Sequence, residues 1–197
     1  MKLEFTKMQA LGNDYIYVYG NPDHPEDLVR RLSDRHFGVG SDGLILMGPS
    51  QRGDFSMAIY NADGSAATLC GNGLRCVGKY LFDKGYTDKT TLTIETGAGL
   101  RTLYLTVTEG KVSSVKVDMG KVVVSPQTGL GVPVDVGNPH LVVFVSPLEQ
   151  TLAETLGPKL EQSEPGGVNV EFIQVLDDHT LRMRVWERGT GLTMACG

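Results

Sequence analysis

The chain has 197 residues, of which 41% are hydrophobic and 21% charged, with a formal net charge of −5. That length suffices for one large domain or two small ones, with about 70% of the extended surface buried on folding. The composition is ordinary for a soluble globular protein. The negative balance argues against nucleic acid or an anionic membrane as partner, and no stretch is long and apolar enough to span a bilayer. The N-terminus, MKLEFTKMQ, lacks the apolar run of a secretory leader, and three cysteines at 70, 76 and 196 make no disulfide framework. A reducing, cytoplasmic compartment is expected.

Leu3 and Phe5 alternate as in a strand, and a second strand is expected around Tyr15–Tyr19. Pro25 opens a helix with Leu28, Val29 and Leu32 on one face, and Gly38 stops it. Strands at 44–47 and 55–60 lead to the loop NADGSAAT. A helix from 72 to 84 follows, with Leu74, Val77 and Leu81 at core spacing and Gly85 at its end. Segments 92–96, 100–108 and 112–117 read as a meander rich in β-branched residues. After Gly120, strands are expected at 132–136 and 141–145. Ser146-Pro147-Leu148-Glu149 has the form of a capping box that opens a helix to about Leu160. Strands at 168–175 and 180–187 then run to the loop that carries Cys196.

This order repeats. Asn61 stands nine residues before Cys70, as Glu187 does before Cys196, and both pairs are offset by 126 positions. Asn13 answers to Asn138, Gly40 to Gly167, and Leu44 to Phe172. Self-similarity at a fixed offset is the mark of duplication. Two halves, 1–118 and 119–197, are therefore expected to pack about a pseudo-twofold axis with the two cysteines face to face. A helix follows Cys70 directly, whereas the sequence stops at Gly197, so the second half reads as incomplete.

Cys70 precedes Gly-Asn-Gly and a helix, which places its sulfur at a helix N-terminus, where N–H groups and the dipole favour a thiolate. The glycines allow backbone to approach a small anion. Cys76, inside that helix, reads as a buried, inert thiol. Gly38 to Gly43 matches G-x-G-x-x-G, but with a helix before it and a strand after, the reverse of a dinucleotide site. Asn13, Asn61, Asn72, Asn138 and Asn169 lie in loops at element ends; an amide can bind an ammonium and a carboxylate together, although turn formation is the ordinary role of any single one. Arg188 could hold a carboxylate bidentately. His140 has no partner at metal-ligand spacing, so no metal is expected. Trp186 reads as core.

Taken together, NADGS…CGNG…C, GNPH, GVNVEF and ERGTG…ACG resemble the diaminopimelate epimerase family over nearly the whole chain. The resemblance implies an α/β (α+β) fold of two similar halves, each a mixed sheet curled around a central helix, with the site in the cleft between them. It also implies a cofactor-free isomerase of lysine and peptidoglycan-precursor synthesis. By motif, it makes Cys70 and Cys196 the acid/base pair. Asn13, Asn61, Gly71, Asn72, Asn138, Asn169, Glu187, Arg188 and Gly197 become substrate contacts, and His140 and Glu187 the polar neighbours of the thiols. The substrate would be free diaminopimelate, and a homodimer is compatible. Two departures stand out: the chain ends at Gly197, and the connector 119–136 is short for the family.

The implied reaction inverts one α-carbon of LL-diaminopimelate to the meso form. A thiolate takes the α-proton on one face while a thiol delivers one on the other; from LL substrate the family's second cysteine abstracts and its first protonates. Cysteine suits both roles because its pKa lies close to neutrality. The carbanion charge needs helix N–H donors in a dry site. The 197-residue chain, lacking a helix after Cys196, is expected to be inactive or very weak. Oxidation is expected to bridge Cys70 and Cys196. The competing readings are a proline-racemase-like or other cofactor-independent racemase, and a thiol redox or sensor protein, which the absence of C-x-x-C disfavours.

Overall fold

The apolar run Gly43–Pro49 shows how the first half is built. In the computed structural model, which describes residues 3–194 and 196, this strand is buried on both faces. Leu44 and Leu46 point to one side and Ile45 and Met47 to the other, each into its own apolar cluster. A strand covered on both faces reads as a continuous apolar run.

The chain divides into two units, Met1–Met119 and Gly120–Gly197. The first runs β1 (Thr6–Ala10), β2 (Asn13–Tyr19), α1 (Pro25–Ser33), β3 (Gly43–Pro49), β4 (Phe55–Asn61), β5 (Ala66–Ala67), α2 (Gly71–Asp83), β6 (Thr91–Thr96), β7 (Gly99–Thr108) and β8 (Lys111–Asp118). Its sheet has the order β1-β2-β3-β4-β6-β7-β8, with β5 paired to β4. Helix α2 packs against β1 and β2 near one edge and against β7 and β8 at the other, so the sheet curls around it. The cluster beneath α2 includes Tyr17, Ile45, Leu74, Val77, Leu81, Ile94 and Leu103. Each fully buried aliphatic or aromatic side chain there contributes about 1.5–3 kcal/mol. On the outer face, Val29 of α1 packs on Ile16, Val18, Leu44 and Leu46.

The second unit runs β9 (Val123–Val124), β10 (Val132–Asp135), β11 (Pro139–Phe144), α3 (Leu152–Glu161), β12 (Asn169–Asp177), β13 (Thr180–Glu187) and β14 (Gly191–Thr193), with sheet order β14-β13-β12-β11-β10-β9. Helix α3 packs on β12, β13 and β14, over Leu141, Val170, Phe172 and Trp186. Among the described residues no helix is long and apolar enough to cross a membrane.

The duplication is explicit in strand pairing. The antiparallel pair β1-β2, the parallel pair β2-β3 and the antiparallel pairs β3-β4 and β4-β5 recur as β10-β11, β11-β12, β12-β13 and β13-β14. Helices α1 and α3 occupy the same place in this order. Tyr15 pairs with Gly43 as His140 pairs with Asn169, which makes Asn13 the counterpart of Asn138 and Asn61 that of Glu187. Register also corrects one expected equivalence. Ile16 pairs with Leu44 as Leu141 pairs with Val170, so the counterpart of Leu44 is Val170 rather than Phe172, two residues on.

Ser146 does not cap a helix. The Ser146–Pro147 peptide is cis, and α3 begins only at Leu152 after Thr151. The N–H of Leu148 goes to the side chain of Gln174 at 3.1 Å, and the Leu148 side chain is buried in the α3 cluster. Burial of Leu148 and this side-chain acceptor settle the segment as a turn, against its local cap signal. The first strand likewise starts at Thr6, beyond Leu3 and Phe5; Leu3 instead packs on the α1 cluster.

Candidate active site

Cys70 follows β5 by three residues and Cys196 follows β14 by three. Each unit thus presents a half-site at the same point of its topology.

In the first unit Cys70 is the N-cap of α2, with extended backbone at φ −143° and ψ 109°. Its Sγ accepts the Gly73 N–H at 3.3 Å and donates to Asn13 Oδ1 at 3.3 Å. A Cβ on Gly73 would lie 2.6 Å from Ile45 Cδ1, so a side chain there would force Ile45 to shift. Asn13 is 1% exposed and opens β2. Its Nδ2 donates to Asp42 Oδ2 at 2.7 Å. A carboxylate can only accept, so this bond fixes the amide with its oxygen towards Cys70. Asp42 is held in turn by the Asp14 N–H at 3.0 Å and Arg35 Nη2 at 2.9 Å. Burial raises the Asp14 carboxyl, but hydrogen bonds and charge from Arg35 and Lys7 outweigh it and leave Asp14 below its ordinary value.

Asp42 belongs to the glycine run 38–43, between α1 and β3 as expected for a segment that is no nucleotide site. Its work is to carry this carboxylate beneath Asn13. Asn61 ends β4, is buried, and donates from Nδ2 to Ser65 Oγ at 3.0 Å. Gly71 and Asn72 are the first two residues of α2, and Asn72 is buried. Cys76 lies in the core, where burial pushes its thiol up, and it plays no part in the half-site.

In the second unit His140 and Glu171 face one another from the parallel strands β11 and β12. His140 Nδ1 lies 2.7 Å from Glu171 Oε1, and its Nε2 lies 3.1 Å from Asn138 Oδ1. Cys196 Sγ approaches the same Nδ1 at 3.9 Å. Glu171 is only 6% exposed, and among the described residues its Oε2 has no hydrogen-bond partner. Asn169, also buried, accepts the Arg188 N–H at 2.8 Å. The Arg188 guanidinium donates to Gly166 O at 3.0 Å and its stem lies along Gly167. Glu187 accepts from Thr193 Oγ1 at 2.5 Å. Trp186 packs on the α3 cluster and donates to Glu161 at 2.7 Å. Gly197 lies outside the described residues.

The donors of His140, Glu171 and Cys196 fall within 4.8 Å of one another, a set that a thiophilic divalent cation could use. They come from three separated segments, which is why spacing along the chain showed no such set. A cation on Nδ1 would have to displace the Glu171 hydrogen bond.

Of the residues expected from the sequence, Cys70 and Asn13 lie together in the first unit, and Asn138, His140 and Cys196 in the second. Asp42 and Glu171, which hydrogen-bond to these clusters, were not expected. Asp42 was hidden in a dismissed motif. Glu171 had a legible signal, a lone carboxylate inside the apolar strand VNVEF.

A family profile described as "Diaminopimelate epimerase" matches residues 5–125 and 132–197. The break between these stretches falls within the connector 119–136. A diaminopimelate epimerase of Bacteroides thetaiotaomicron is 48% identical over 208 aligned positions, covering 100% of this chain and 78% of its own. One of Acetivibrio thermocellus is 45% identical over 224 positions, covering 99% of this chain and 79% of its own. Among solved structures, a hydroxyproline epimerase from Agrobacterium vitis superposes with a TM-score of 0.76 at 17% identity, covering 98% of this chain and 72% of that one. A predicted epimerase from Pseudomonas aeruginosa superposes at 0.67 and 14%, covering 98% and 76%. At such identities these two establish the shared fold alone.

Proposed function

We infer the chemistry of the two half-sites from one premise: the chain belongs to the diaminopimelate epimerase family, and it is an isomerase. The substrate is free diaminopimelate, and the reaction exchanges its LL and meso forms by moving one α-proton. The observation that carries this reading is the recurrence of a polar-flanked cysteine, three residues past the same strand, in both units.

The α-proton is far less acidic than a thiol, so the reaction needs more than a base. One sulfur, as thiolate, takes the proton from one face of the α-carbon. The other, as thiol, gives its proton to the opposite face, and the two exchange roles in the reverse direction. Such acid–base assistance contributes about 10²–10⁴-fold. The rest must come from holding the negative charge that spreads onto the carboxylate. The first-turn N–H groups of α2, at Gly71 and Asn72, are the donors assigned to that charge, in a region where the helix dipole is positive.

Asn13, Asn61, Asn138 and Asn169 are assigned to the ammonium and carboxylate groups of the substrate, and Glu187 with Arg188 to its distal end. Gly197 is assigned to the same role as Gly71, from the matching motif. Support for the asparagines is their burial and their paired places in the repeat. A cytoplasmic location is assigned; the odd number and the spacing of the cysteines, 70, 76 and 196, which make no disulfide framework, support it. A homodimer is the assembly assigned; exposed Phe144, Val175 and Leu181 on the second sheet support it, and light scattering checks it.

The test is deuterium incorporation. In D2O the chain, at the very weak rate expected of these 197 residues, should place one deuterium at the α-carbon of LL-diaminopimelate as meso product forms over a long incubation, and leave L-proline unlabelled. Labelling of proline but not diaminopimelate would transfer the chain to the racemase reading.

A further inference from the structure

Among the described residues, two groups of side chains could gather around a metal ion, and they differ in build. His24 and Asp27 are exposed beside Glu26, and Asp27 is already paired with Arg30 at 2.8 Å. His140, Glu171 and Cys196 come from β11, from β12 and from the segment after β14, and their ligand atoms lie within 4.8 Å of one another. Glu171 is 6% exposed, and among the described residues its Oε2 has no hydrogen-bond partner. A buried carboxylate oxygen left in that state calls for a donor or a cation.

The imidazole is already turned as a ligand. Its Nε2 lies 3.1 Å from Asn138 Oδ1, and an amide oxygen only accepts, so Nε2 carries a hydrogen. Nδ1 is the nitrogen that faces both Glu171 Oε1 at 2.7 Å and Cys196 Sγ at 3.9 Å. Metal-bound histidines ordinarily donate their second ring N–H to such an oxygen. A tetrahedral zinc ion sets N···O at about 3.3 Å and N···S at about 3.6 Å. The carboxylate must therefore draw back by about 0.6 Å and the thiol close in by about 0.3 Å. Rotation of the carboxylate offers Oε2 for the same purpose. Asp135 and Glu164, which border a pocket of about 310 Å3 with His140, are acidic and attract a cation to it.

We propose that the second half-site binds a thiophilic divalent cation, zinc above all, through His140 Nδ1, the Glu171 carboxylate and Cys196 Sγ. One nitrogen, one carboxylate and one thiolate form a borderline-soft set; magnesium and calcium, which want oxygen alone, are poor matches. As the metal bonds form, the thiol proton and the proton between Nδ1 and Oε1 pass to solvent. The aqua ion gives up water in exchange, and no oxidation state changes. Thiolate and carboxylate neutralise the two positive charges, and the fourth position keeps a water. On the reading that Cys196 is one of the reacting sulfurs, the bound cation holds that sulfur and stops proton transfer.

The experiment titrates the whole chain with cadmium, whose bond to a thiolate adds a charge-transfer band in the ultraviolet, and then displaces it with zinc against a chromophoric chelator. One equivalent should bind. Cys196→Ser should abolish the band, and Glu171→Gln should weaken zinc binding by at least about tenfold. Cys70→Ser and Cys76→Ala should keep both the band and the affinity. No band, a band that survives Cys196→Ser, or an affinity indifferent to Glu171→Gln overturns the proposal. Should Glu171→Gln lose its native circular dichroism, the contrast between Cys196→Ser and Cys70→Ser decides alone. Added zinc should also stop α-deuteration of diaminopimelate, and a chelator should restore it. Deuteration by a chain that binds no zinc sinks this inference only. Zinc on Cys196 with deuteration undiminished keeps the site and sinks the role given to Cys196 in the epimerase reading.

Discussion

The two units share a strand pattern and differ in how they cover it. In the first, the central strands β2 and β3 are buried on both faces, by α1 outside and α2 within. In the second, α3 covers the face of Val170, Phe172 and Trp186. The opposite face of those strands holds His140, Asn169 and Glu171 at one end, and exposed Phe144, Val175 and Leu181 at the other. One topology therefore supports two chemistries. The first half-site is set by a helix cap and a fixed amide. The second depends on a histidine–carboxylate hydrogen bond lying on a sheet face, where a buried polar group is tolerated only if it is partnered.

The largest expected effects test whether both units act on the same carbon. Cys70→Ser and Cys196→Ser should each lower kcat/KM by about 10²–10⁴-fold, read as deuterium exchange at the α-carbon. Cys76→Ala should leave that exchange unchanged and lower stability by about 1 kcal/mol. A chain in which one serine variant retains full exchange would show the units to be functionally unequal.

Next in size is the separateness of the two cores. Phe172→Ala removes the largest fully buried side chain of the second core and should cost about 3–5 kcal/mol. Amide hydrogen exchange should show lost protection in β12 and α3 while α2 keeps its own. Equal loss in both units would mean that the cores are coupled.

Smaller is the effect of crowding at the first cap. Gly73→Ala places a methyl 2.6 Å from Ile45 Cδ1 and should cost about 1–3 kcal/mol, measured by urea unfolding. Since Gly73 N–H also holds Cys70, turnover should fall further than stability alone explains.

The smallest expected effect is acid sensitivity. In Asp14 and Asp83 burial raises the carboxyl, but the basic partners Arg35 and Lys7, and Lys79 with the Val112 N–H, bring it below the ordinary 3.8; in Asp54 a Lys89 hydrogen bond leads the lowering. A depressed folded value means stability present above pH 3.8 and lost as pH falls through the lower folded value. All three belong to the first unit. Its protection against hydrogen exchange should therefore weaken below pH 3.8, and raising the salt concentration should reduce the effect.

What could be read along the chain was local or periodic. The apolar run of β3, the spacing of Leu74, Val77 and Leu81 on α2, the Gly85 stop and the fixed offset of the cysteines could all be read without coordinates, and most elements fall close to where they were expected, although α1 ends at Ser33, five residues before the Gly38 expected to stop it. The repeat also brought out Asn13 and Asn138 before any coordinates. What only the tertiary structure decided was long-range. Parallel pairing of β11 with β12 sets His140 against Glu171, thirty-one positions away, and the turn before β3 brings Asp42 under Asn13. The Ser146 cap failed for the same reason: a distant Gln174 and the burial of Leu148 outweighed a local preference. A sequence specifies which side chains can ionise. Their protonation depends on which acceptors and charges the fold brings within hydrogen-bonding distance, because that energy falls away over a few ångströms in space and takes no account of separation along the chain.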